Sequence, residues 1–213
     1  MTVRSMTQLP RLLLLSDRSQ LHLGRSLRRT LLECVDAGAT HIVLRELDEE
    51  GAAREALAAA LAAAGATVIA AHSLLPSASG VHLPANRHLW SAERSGMAGR
   101  EVRNGVLTGR SCHSAAEVHA AAAEGASYAT LSPFALTASK PGYGPALPRE
   151  EYAEAASAAI PVYALGGITP DNAASAIAAG GHGVAVMGEV MRADHPAGVV
   201  RALLAVLPGE VPG

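Results

Sequence analysis

Ile160-Pro-Val-Tyr-Ala-Leu-Gly-Gly-Ile-Thr-Pro-Asp-Asn-Ala-Ala-Ser-Ala-Ile-Ala-Ala-Gly-Gly-His-Gly-Val-Ala-Val-Met-Gly188 contains a strand, a tight turn, a helix and a second strand. The apolar run Pro161 to Leu165 stops at Gly166-Gly167. Thr169 then stands as a helix N-cap with Pro170 at the first helical position. A second apolar run, Gly183 to Met187, also ends in glycine, at Gly188. Two successive strands that finish in glycine expose backbone N–H groups beside a helix N-terminus, an arrangement suited to phosphate.

Upstream of this stretch the same alternation repeats. Arg11 to Ser16, Thr40 to Arg45, Thr67 to Ala71, Gly80 to Leu83, Val106 to Gly109 and Tyr128 to Leu131 read as six more short strands. The first of them is continuously apolar from Leu12 to Leu15 rather than alternating, as expected of a parallel strand buried on both faces. Between them, Leu23 to Ala37, closing on Gly38, and Glu49 to Ala64, closing on Gly65, have helical spacing and helical composition. His72 to Pro76 leaves room for a short helix, Asn86 to Ala98 reads as a weak one, and Arg110 to His113 reads as a loop. Ser114 with Glu117 three residues on marks a capping box, which puts His113 just outside a helix N-terminus. Ser132 to Gly144 is a long loop before a helix from Arg149 to Ala159, and Ala197 to Leu207 closes the chain as a last helix.

Eight strands alternating with helices predict an α/β fold, a single (β/α)8 TIM barrel. No G-x-G-x-x-G follows the first strand, and the last two strand ends sit where such barrels hold phosphate. The 213 residues suit one such domain, read here as residues 11–208 with a frayed lead-in over 1–10 and a tail over 209–213. With 17 basic and 19 acidic residues and 3% aromatic content, the chain offers neither a nucleic-acid face nor a membrane-attracting patch. No apolar segment reaches membrane-spanning length, and no secretory signal opens the chain, so a cytoplasmic protein is expected. Two isolated cysteines give no disulfide framework, and nine histidines show no ligand spacing, so no metal site is expected. Homo-oligomerisation is left open.

The segments Gly38 to Glu46 (GATHIVLRE), Gly80 to Pro84 (GVHLP), Gly109 to Glu117 (GRSCHSAAE), Ser132 to Gly142 (SPFALTASKPG), Ile160 to Asn172 and Gly183 to Gly188 together resemble the thiamine phosphate synthase/TenI superfamily. The resemblance runs through nearly the whole chain in order. It implies a TIM barrel that binds a thiazole phosphate, with two branches. The synthase branch couples a pyrimidine pyrophosphate to a thiazole phosphate using Mg²⁺ and cations. Its second-strand motif resembles Q-x-R-x-K. Here the arginine is Arg45, but Val43 and Leu47 stand at the glutamine and lysine, and Ala71 to Ser73 and Pro84 to Asn86 carry no carboxylate where Mg²⁺ ligands are expected.

Those departures point to the TenI branch, whose members are thiazole tautomerases working without a cofactor. Under that expectation His113 is the acid/base group and Arg45 holds a carboxylate, while Glu46 is either a second acid/base partner or the group that orients Arg45. Ser111, Thr137, Ser139, Lys140, Gly166, Gly167, Met187 and Gly188 form the substrate and phosphate contacts. Two alternatives remain: a divergent synthase, which brings Mg²⁺, and a non-catalytic thiazole or thiamine phosphate-binding regulator.

Overall fold

A computed structural model describes residues 9–22, 24–87, 106–136 and 145–209. The strands are β1 (Leu12–Leu15), β2 (His41–Leu44), β3 (Thr67–Ala71), β4 (Gly80–Leu83), β5 (Leu107–Cys112), β6 (Tyr128–Leu131), β7 (Val162–Leu165) and β8 (Gly183–Val186). They close in sequence order into one parallel barrel, β8 pairing with β1 through Leu13 and Ala185. The (β/α)8 fold is therefore as the strand count predicts.

Each strand divides its apolar residues between two cores, because successive side chains point to opposite faces. Leu13, Leu15, Val43, Ile69, Ala71, Tyr128, Tyr163 and Ala185 fill the barrel interior. Leu12, Leu14, Ile42, Leu44, Val68 and Ala70 face outward and pack under the surrounding helices. Those helices are α1 (Leu27–Asp36), α2 (Gly51–Ala63), α3 (Ala115–Ala123), α4 (Arg149–Ala155), α5 (Pro170–Ala178), α6 (Gly188–Met191) and α7 (Pro196–Val206). Leu31 of α1 and Leu61 of α2 are wholly buried against the barrel, each contributing roughly 2 kcal/mol of apolar burial. The small alanines of α2 let that helix lie close, which explains its composition.

Several boundaries differ from the reading of the sequence. The first helix begins at Leu27, four residues late, because the Ser26 hydroxyl caps it by accepting the Arg29 N–H. The fifth strand runs on through Arg110 and Ser111, in register with Ala129 and Thr130, so the expected loop at 110–113 is mostly strand. Arg110 looks loop-like in sequence but is buried outside the barrel, paired with Glu124 at 2.8 Å. Residues 72–76 form an irregular connection rather than a short helix, and α6 follows β8 unannounced. Most of the weak helix expected at Asn86 to Ala98 lies outside the described residues.

Leu9 and Pro10, counted with the lead-in, belong to the barrel floor. The Tyr163 hydroxyl donates to the Pro10 carbonyl at 2.6 Å, His182 Nε2 lies 3.0 Å from the Leu9 carbonyl, and Arg11 donates to the His182 carbonyl at 2.5 Å. These bonds join both ends of the barrel chain at the β1–β8 seam. Among the described residues no helix is long and apolar enough to cross a membrane.

Candidate active site

The carboxyl ends of the strands surround a cavity of about 500 Å³. Arg45, Ser111, His113, Gly166, Gly167, Met187 and Gly188 all line it, so residues from four strand ends meet as expected. Thr137, Ser139 and Lys140 lie outside the described residues.

Arg45 is the residue after β2. Its N–H donates to Ser16 Oγ at 2.9 Å, and its guanidinium reaches the Met187 sulfur and stands 3.9 Å from Asp17. Burial of Asp17 raises its carboxyl pKa, but hydrogen bonds from Ser19 and Gln20 and the Arg45 charge outweigh this and hold it below the ordinary range. Asp17 therefore stays anionic and anchors Arg45 at the cavity edge.

Glu46 does not line the cavity. Its φ is 21°, its side chain is buried, and one carboxylate oxygen accepts the Arg18 N–H at 3.2 Å while the other has no partner. It ties the β1 and β2 loops together. The expectation that Glu46 works beside His113 is corrected: the left-handed turn at its own backbone carries the carboxylate away from the opening.

The β5 side of the cavity is built from side chains. Ser111 points inward, 2.9 Å from His82 Nε2, and His82 Nδ1 lies 3.0 Å from the Tyr128 hydroxyl. Burial, with smaller contributions from the charges of Arg45, His72 and Arg110, pushes the His82 imidazole down to about 3, so it is neutral. His113 Nδ1 lies 3.1 Å from the Ser132 carbonyl and 3.2 Å from the Ser132 hydroxyl, so Ser132 holds that edge of the ring. The His113 N–H donates to Glu117, and the Ser114 hydroxyl accepts from the Glu117 N–H. The Glu117 carboxylate thus reaches one residue further back than a capping box requires.

The opposite side is built from backbone. Gly166 and Gly167 have φ of 96° and 64°, and a Cβ on Gly167 would lie 2.5 Å from the Leu136 carbonyl. Only glycine fits there. Asn172 fixes the turn, its Oδ1 accepting the Thr169 N–H at 2.9 Å and its Nδ2 donating to the Gly167 carbonyl at 2.8 Å. The turn, the start of α5 and Gly188 thus bring backbone amides to one corner, which suits a phosphate.

Four further residues of the wall were not singled out in the sequence: His72, His82, Glu189 and Arg192. His72 adopts φ 67°, and burial together with nearby arginines holds its imidazole below the usual range. Arg192, at the end of α6, also lines the cavity, and its guanidinium donates to the Gln20 side-chain carbonyl. Parity along β4 gave a signal for His82, since it alternates with the outward Val81 and Leu83. Nothing local marked Arg192. Leu47 and Leu136 form an apolar rim, 47% and 81% exposed. The donors do not suit a resident hard cation. Glu189 is the one carboxylate on the described wall, and no three potential ligands gather among the described residues.

The sequence profile described as thiamine monophosphate synthase matches residues 12–190. The chain belongs to that family. A thiamine-phosphate synthase of Methanoculleus marisnigri is 36% identical over 192 residues, covering 85% of this chain and 89% of the relative. One from Roseiflexus castenholzii is 34% identical, covering 82% and 80%. A Geobacter sulfurreducens relative matches at 36%, over 62% of its own length. Among solved structures, a thiamine phosphate pyrophosphorylase from Pyrococcus furiosus superposes with TM-score 0.76 at 23% identity, covering 92% of this chain and 94% of its own, a likeness of fold.

These relatives correct the expected branch. They carry the synthase name over most of this chain, and the tautomerase reading finds no support among them. The expectation rested on lost residues at Val43, Leu47, 71–73 and 84–86. It weighed a lost glutamine, a lost lysine and missing carboxylates, and took no account of Arg192, which lines the same cavity from a different element.

Proposed function

We propose that this family member is a transferase of the thiamine-phosphate synthase type. It joins a pyrimidine carried as its diphosphate ester to the ring nitrogen of a thiazole phosphate and releases diphosphate. The observation that carries this reading is that one cavity offers two kinds of anion-binding group, backbone amides at Gly166, Gly167 and Gly188 and side chains at Arg45, Arg192 and Ser111. Two phosphorylated substrates need two such groups. The corner holds the thiazole phosphate, while the guanidiniums and the hydroxyl stabilise charge on the departing diphosphate, the contribution that matters most when a poor leaving group ionises.

No proton moves between the reacting carbon and nitrogen, so His113 serves by holding Ser132 and shaping the wall rather than as an acid or base. Because the wall does not suit a protein-held Mg²⁺, any such ion would come in on the substrate's own phosphate oxygens, and the protein's part is limited to its arginines and hydroxyl. The test is thiamine phosphate formation and diphosphate release by the purified protein from both precursors, with added Mg²⁺ and with EDTA. Product in either arm supports the reading, and comparing the arms shows whether the ion is needed. Binding of both precursors without coupling would overturn it in favour of a phosphate-binding regulator.

A further inference from the structure

The chain of Tyr128, His82 and Ser111 has a direction that can be worked out. The Tyr128 hydroxyl is wholly buried, and His82 Nδ1 is its partner at 3.0 Å. Burial pushes the Tyr128 phenol well above its ordinary range, so it keeps its proton, and the buried His82 imidazole is neutral. A neutral imidazole has one donor nitrogen and one acceptor. If Nδ1 donated, the Tyr128 proton would be buried with no acceptor, the costlier arrangement. Tyr128 therefore donates to Nδ1, and the imidazole proton sits on Nε2. Nε2 then donates to Ser111 Oγ, 2.9 Å away. With that oxygen accepting, the Ser111 proton is turned toward the cavity that Ser111 lines.

The local packing is built to allow this. The two rings stack with centroids 5.6 Å apart and planes 29° from parallel, and Tyr163 meets Tyr128 edge-on at 5.7 Å. Residue 109 faces them from β5 without a side chain. A Cβ there would run into both the Tyr128 ring and His82 Nδ1. Gly109 thus holds open the space that the hydrogen bond occupies.

From this geometry we infer that His82 and Tyr128 are positioning residues that fix the Ser111 hydroxyl as a hydrogen-bond donor to a phosphate or diphosphate oxygen in the cavity. The identity of the anion rests on the transferase reading, and the direction of the chain does not. A donor that is already aligned loses little freedom when the anion arrives, and a chain of hydrogen bonds strengthens its last member.

Two measurements test it. Long-range ¹H–¹⁵N correlation on the full ¹⁵N-labelled chain, with His82 assigned by its loss in His82→Gln, should show a neutral Nε2–H imidazole. An Nδ1–H tautomer or an imidazolium at neutral pH overturns the proposal. Inorganic diphosphate binding by calorimetry should weaken about three- to tenfold in Tyr128→Phe, the effect of one lost hydrogen bond in the chain. In a Ser111→Ala background Tyr128→Phe should cost nothing further, because its effect passes through that hydroxyl. Additive losses, or wild-type protein that binds neither diphosphate nor phosphate, overturn the role. Failure of the coupling assay with this cycle intact would count against the transferase reading alone. Should Tyr128→Phe fail to fold, the wild-type tautomer still decides the direction of the chain.

Discussion

The two sides of the cavity are made by different means. At the ends of β7 and β8 the wall is backbone: Gly166, Gly167 and Gly188 present amides, and Asn172 pins the turn from five residues along. At β4, β5 and β6 it is a relay of side chains, in which His82, Tyr128 and Ser111 meet across three strands. A backbone site needs glycines and a cap at fixed short offsets, whereas a side-chain site needs strand register. The first tolerates change in its neighbours' size poorly at one or two atoms. The second can be disabled by any of its three members.

Gly109→Ala should give the largest effect, because its new methyl meets two rigid rings with no room to move. Overpacking of this kind costs about 3 kcal/mol, and thermal denaturation should show it. A near-normal Tm would mean that the rings of His82 and Tyr128 can move apart. On the backbone side, Gly167→Ala combines a positive φ with contact against the Leu136 carbonyl and should cost roughly 2 kcal/mol, together with loss of phosphate binding. Equal loss of binding in both variants, at equal Tm, would erase the distinction between the two sides.

Arg45→Ala should weaken diphosphate binding about tenfold, roughly 1.4 kcal/mol, while leaving Tm unchanged, since its ion pair with Asp17 is part-exposed. If thiazole phosphate binding falls as far, Arg45 serves the backbone corner through Met187 instead. A separate effect is set by acid. His82 ordinarily titrates near 6.5 but is held to about 3 in the fold, so between those values the unfolded chain binds a proton that the folded chain does not. Its contribution is complete above about pH 6.5 and falls as pH drops, at up to about 1.4 kcal/mol per pH unit. Urea titrations from pH 7 to 4 should show that slope, reduced in His82→Gln. His72 and His182, also shifted down mainly by burial, add slopes of the same sign. The smallest effect is expected from Asn172→Ala, about 1 kcal/mol of stability, because only the clamp on the glycine turn is lost.

The same contrast explains what the chain's letters disclose. The barrel was legible because eight apolar runs and the helices between them are local patterns, and Gly166-Gly167 with Thr169-Pro170 marked the phosphate corner for the same reason. Ser111 and His113 were found by motif. Their neighbours were not, since His82 reaches Ser111 only through the β4–β5 register and Arg192 arrives from a four-residue helix with no periodicity to read. Glu46 was misplaced because spacing cannot show that its backbone turns left-handed. The branch was misjudged for a related reason. Losses at motif positions are visible in sequence, and a residue such as Arg192 that reaches the cavity from another element is not.

The seam between the first and last strands has a consequence for how the protein is made. Arg11 and His182 meet across a separation of 171 residues, and β8 cannot join β1 until the chain has been synthesised through Val186. A ribosome-bound fragment shorter than that has two open sheet edges, each a template for pairing with another chain. Closure over so long a loop is intrinsically slow. The window for misassembly therefore extends to the last strand, and the bonds that Leu9, Pro10 and Arg11 make at the barrel floor shut it.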